Sequence, residues 1–107
     1  MFTATVTEQI VTVISSTGNT APAGREKWTL IGKQFADRAA AIKACEHHFS
    51  ALKASVQRKN PGNSLISQST LAWQGNSATP EIPLGIRDYD NPPVQVYEVV
   101  YSVLTSA

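Results

Sequence analysis

Apolar residues recur along this chain with two different periods, and the change from one to the other divides it into elements. From Phe2 to Ser15 the β-branched residues Thr3, Thr5, Val6, Thr7, Ile10, Val11, Thr12, Val13 and Ile14 favour extended backbone, because their χ1 angles are crowded in a helix. The run predicts one long strand. Its apolar phase passes through Phe2, Ala4 and Val6 to Ile10 and Ile14, whereas Val11 and Val13 fall on the other phase, which predicts a bulge or two-sided burial near Glu8. Gly18-Asn19, Pro22 and Gly24 mark Ser16 to Glu26 as a turn or loop. Trp28, Leu30 and Gly32 then alternate with Thr29, Ile31 and Lys33 in a second strand ending near Phe35, predicted to form a hairpin with the first.

After Asp37, whose carboxylate can cap the orphan N–H groups of a helix, the period lengthens. Ile42, Cys45, Phe49, Leu52 and Val56 recur every three or four residues and form one helical stripe, while Lys43, His47, Ser50 and Ala54 point away. Arg58 and Lys59 suit the negative end of the helix dipole, and Asn60-Pro61-Gly62 is a stop signal. Ser64 to Gln74 reads as a third strand, with Leu65, Leu71 and Trp73 on one phase and Ile66 and Ala72 on the other. Gly75 to Pro93 holds four of the six prolines, a pattern too broken for a regular element and expected to be a long loop. Val94 to Leu104 is a final strand, with Tyr97, Val99, Tyr101 and Val103 on one face and Val94, Val96, Val100 and Leu104 on the other.

The expected fold is α+β: residues 1–107 as a single domain, in the order strand, strand, helix, strand, strand, with an antiparallel four-stranded sheet and one long helix on one face. A strand apolar on both faces needs cover on both, and one helix covers only one. The candidate cover for the other face is a second copy of the chain, with Val11, Val13, Tyr97, Val99, Tyr101 and Val103 as candidate interface residues. The competing cover is the proline-rich loop folded back.

Composition sharpens this in three ways. Charged residues make up 16% of the chain, against roughly 25% in average proteins, and a lightly charged surface repels other chains poorly. The net charge of +1 gives no electrostatic reason to expect nucleic acid or an anionic membrane as partner, and no apolar run approaches the roughly 20 residues that span a bilayer. Cys45 is alone, so no internal disulfide forms, and the opening residues are strand chemistry rather than a signal peptide; a reducing, cytoplasmic setting is expected.

Candidate chemistry is sparse. Cys45 and His48, three apart with Glu46 and His47 between them, have helical spacing for a shared metal, but His47 points away, no further Cys or His completes four ligands, and Cys45 lies in the apolar stripe; neither a metal nor another cofactor is expected. A Cys45–His48 dyad fails for the same reason, since a reactive thiol needs an exposed, electropositive pocket. Arg87, Asp88, Tyr89 and Asp90 form the densest group of functional side chains, offering a polar ligand site, although Asp88 and Asp90 also suit turn formation ahead of Pro92-Pro93. Arg25, Lys27, Lys33 and Arg38 flank the second strand around Trp28, where ordinary solvation of a strand edge accounts for them equally well. Trp28, Trp73, Tyr97 and Tyr101 read as core or interface aromatics rather than a stacking platform.

These residues predict a non-enzymatic protein-interaction or assembly module that acts as a homo-oligomer, partnered by itself or another protein. The alternative is a small-ligand or nucleotide-binding protein, with its site at the 75–93 loop or a subunit interface, drawing on Arg87, Tyr89, Arg25 and Lys27. The first reading implies that Tyr97→Asp or Tyr101→Asp would dissolve the oligomer.

Overall fold

A computed structural model describes residues 1–14, 19–22, 25–59, 64–82, 84–85 and 94–105. The chain runs through β1 (Phe2–Ile14), β2 (Asn19–Pro22), β3 (Lys27–Phe35), α1 (Arg38–Lys59), a 3-10 turn (Ser64–Gln68), β4 (Leu71–Gln74), β5 (Ser77–Pro80), β6 (Leu84–Gly85) and β7 (Val94–Thr105). The sheet is antiparallel throughout, as expected, but its strand path is five strands wide, β2-β1-β7-β5-β4, rather than four. β3 also pairs with β1, in line with β2 along the same side, and β6 pairs with β7 beside β5.

The first and last strands form the centre of the sheet, in an unbroken ladder from Phe2↔Thr105 to Val13↔Val94. The possible bulge near Glu8 does not interrupt this ladder. On its other side β1 changes partner there instead, from β3 at Glu8↔Lys27 to β2 at Val11↔Pro22, and Val11 is buried. The irregularity in the β1–β3 pair lies at its far end, where Ala4↔Ile31 is followed by Phe2↔Phe35 and β3 carries two extra residues. Gly32 opens that bulge with φ +62°, and a Cβ there would meet Phe35 Cζ at 3.2 Å, so glycine fits on both counts.

The helix forms where the period predicted it. Asp37 Oδ1 accepts a 2.7 Å hydrogen bond from the Ala40 N–H, and the Asp37 carbonyl accepts one from the Ala41 N–H. Its stripe is Ala41, Cys45, Phe49 and Val56, fully buried, flanked by half-buried Ile42 and Leu52. These side chains meet Ala4 and Val6 of β1, Ile31 of β3, Ala78 of β5 and Val99, Tyr101 and Val103 of β7 in one core.

The predicted third strand is shorter than expected: Ser64–Gln68 is a 3-10 turn and only Leu71–Gln74 is strand. Ile66 seals the core from that turn. Ser69, fully buried, then fixes the path: its hydroxyl donates to the Ile82 carbonyl at 2.8 Å and accepts from the Ile82 N–H at 3.1 Å. Part of the expected 75–93 loop is regular, because β4 and β5 form a hairpin through Gly75-Asn76, with Gly75 at φ +62° in the first turn position.

Candidate interaction surface

Register decides which side chains face α1. Cross-strand partners share a face, so pairs such as Ala4↔Val103 and Val6↔Tyr101 place the even residues of β1 and the odd residues of β7 together under the helix. Val99, Tyr101 and Val103 are therefore core residues, each no more than 2% exposed, and not the open interface expected of them. Both phases of β7 are apolar, so its alternation alone does not tell the faces apart. Val13 and Tyr97 lie farther along the ladder, at Val13↔Val94 and Ile10↔Tyr97.

The open face belongs to the opposite phase. One row crosses the sheet as Leu30–Thr5–Ser102–Ser77–Gln74, the next as Trp28–Thr7–Val100, and a third pairs Thr3 with Leu104. Trp28 is 63% exposed, Leu104 52%, Leu30 48% and Val100 39%. Among the described residues paired along β1 from Thr3 to Gln9, the charged one in these outward rows is Glu98, opposite Gln9, with exposed Glu26 just before β3 and exposed Lys33 in the β3 bulge at their edge. No described element covers these four apolar side chains, and single exposed apolar residues are ordinary where four on one lightly charged sheet face are not.

Beneath the helix, Tyr101 is held by two α1 residues, His48 and Phe49. Its hydroxyl and His48 Nδ1 share a 2.7 Å hydrogen bond, and its ring meets His48 and Phe49 edge-on at centroid distances of 5.6 and 6.0 Å. Burial, and secondarily the charges of Glu8 and Cys45, push its phenol well above the ordinary value of 10. Burial, with Glu46 adding to it, raises the Cys45 thiol to about 11. Such a thiol is protonated near neutral pH and has the opposite character to a nucleophile. Among the described residues no group of three or more His, Cys, Asp or Glu sits close enough to hold a metal ion.

Of the other candidate residues, Arg25 and Lys27 line a cleft at the C-terminal half of α1, on the helix side of the sheet. Arg38 donates a 2.6 Å hydrogen bond to the Gly75 carbonyl and so ties the start of the helix to the β4–β5 turn. Lys33 is exposed at the β3 bulge. Arg87, Asp88, Tyr89 and Asp90 lie outside the described residues. Trp28 and Leu30 were legible as an apolar strand phase, yet only the pairing of β3 with β1 shows that they share a surface with Val100 and Leu104.

No family model, curated protein or solved structure matches the chain. No described helix is long and apolar enough to cross a membrane.

Proposed function

We propose that the chain is a non-enzymatic assembly module whose outer sheet face packs against the same face of a second copy. The observation that carries this reading is the row structure of that face: Trp28, Leu30, Val100 and Leu104 set among Thr and Ser residues, with Glu98 the one charged residue among the described pairs between the Gln9 and Thr3 rows. A face with almost no charge has nothing to offer a strongly basic or acidic partner. It suits a surface of its own kind, and a two-fold axis supplies one.

Size supports the same occupant. Three strands of seven residues and the two short strands β4 and β5, at roughly 4.8 Å spacing and roughly 3.4 Å rise, give a face on the order of 500 Å² before side chains are counted. Stable interfaces bury about 800 Å² per partner, within reach once side-chain relief is counted. Trp28 is the natural anchor, since one tryptophan contributes roughly 150–250 Å² of that area.

Light scattering coupled to size exclusion tests this. The wild type is expected at twice the 11.5 kDa chain mass at high micromolar concentration, dissociating on dilution. Leu30→Asp, at an exposed position, is expected to stay at one chain mass with an unchanged circular dichroism spectrum. A wild type at one chain mass throughout, or a Leu30→Asp variant that still doubles, would overturn the reading. Tyr101→Asp does not serve here, because a carboxylate at that fully buried position would unfold the core.

A further inference from the structure

On the other side of the sheet, the last turns of α1 stand over the Lys27–Glu8–Val99 row, leaving a cleft of about 320 Å³. Leu52 and Val56 give it an apolar wall, Ser55 adds a hydroxyl, and Arg25, Lys27 and Glu8 bring the charges. The volume is at the small end of the roughly 300–1,000 Å³ of ligand pockets, which limits the occupant to a small molecule.

The charges select its sign. Two cations face one carboxylate, and among the described residues neither Arg25 nor Lys27 is joined to a carboxylate by a salt bridge. The helix C-terminus opposes an anion with about half a charge, less than the excess cation supplies. Arginine presents a planar fork that matches two oxyanion oxygens, lysine adds a point charge, and a serine hydroxyl completes a donor set.

We propose that this cleft binds a small organic oxyanion, a carboxylate or a phosphate monoester, with a short apolar or aromatic body. The oxyanion sits between Arg25 and Lys27, and the body lies on Leu52 and Val56. Glu8 sets a limit on ligand charge and excludes bulky polyanions by repulsion. The site is independent of the outer face, so its occupancy survives the Leu30→Asp substitution.

Backbone amide NMR titrations with benzoate, phenyl phosphate and inorganic phosphate test the assignment and distinguish the two oxyanion types. Shift changes are expected to cluster at Glu8, Arg25, Lys27 and Ser55 with at least one organic anion, and to be at least about tenfold weaker with inorganic phosphate, which has no body to bury. The exposed double variant Arg25→Gln/Lys27→Gln is expected to lose binding by about tenfold or more while its remaining amide spectrum stays folded. Absence of saturable shifts with both organic anions, binding that persists in the double variant, or equal affinity for inorganic phosphate would overturn the proposal.

Discussion

Tyr101 lies on the phase of β7 that faces the helix. Its phenol is fully buried and bonded to His48, so Tyr101→Phe keeps the ring contacts and removes one hydrogen bond. The expected loss is about 1 kcal/mol in urea unfolding, because half-buried His48 can turn to water. The raised Cys45 and Tyr101 values carry a second consequence. Both groups are neutral in the fold above the pH at which the unfolded chain begins to ionise them, at 9.0 for the thiol and 10.0 for the phenol. Their contribution is therefore fully present below about pH 9 and is lost as pH rises through the folded thiol value near 11. Urea midpoints are expected to fall between pH 9 and 11, less steeply in Cys45→Ala, while the thiol of the folded wild type reacts with a disulfide reagent only slowly at pH 8. The core character of Cys45 was legible from its place in the helical stripe. That of Tyr101 was not, because strand alternation leaves its facing undetermined until the partner register is known.

Elements were legible in proportion to how far their pattern was local. The helix carries its own period, cap and stop, and the structure places Asp37 and the Cys45–Phe49–Val56 stripe where these predict. The β1 and β7 runs were equally plain, since ten β-branched and aromatic residues in the first and eight in the second outweigh any competing preference. Ser64–Gln74 misled because Leu65, Ile66 and Leu71 do not keep one phase, and the break is resolved by the buried Ser69 hydroxyl bridging to Ile82, a contact between distant residues. The β4–β5 hairpin was missed although its signal is local: Gly75-Asn76 between two short runs is a two-residue hairpin turn, hidden by the prolines that follow. Gly75→Ala tests that element. With φ at +62° and nothing within 4 Å of a Cβ, the cost is conformational alone, and a loss of about 1–2 kcal/mol in thermal or urea unfolding is expected. Gly75→Asn is expected to cost a similar amount, since a two-residue turn with positive φ only at its first position is the type II′ turn, which calls for Gly there.

Over the whole molecule, the central β1–β7 ladder joins the two ends of the sequence, and a single helix lies on one side of a five-strand path. That arrangement follows from supplying one amphipathic helix to a sheet whose last strand is apolar on both phases. Excess apolar surface was foreseeable from the sequence, but its location was not: Val99, Tyr101 and Val103 lie under the helix, and the open face carries Trp28, Leu30, Val100 and Leu104. The central claim is that a second copy covers this open face, and Trp28 can report on it directly. Trp73→Phe leaves Trp28 as the only tryptophan, and among the described residues the buried Trp73 indole N–H has no hydrogen-bond partner to lose. Acrylamide quenching of that variant, followed from low to high micromolar concentration, is the measurement to make. Trp28 is expected to be freely quenched and red-emitting when dilute, then shielded and blue-shifted as the solution mass doubles, with Leu30→Asp abolishing both changes. A mass that doubles while Trp28 stays freely quenched would place the contact elsewhere, and a mass and quenching that never change would contradict self-association altogether.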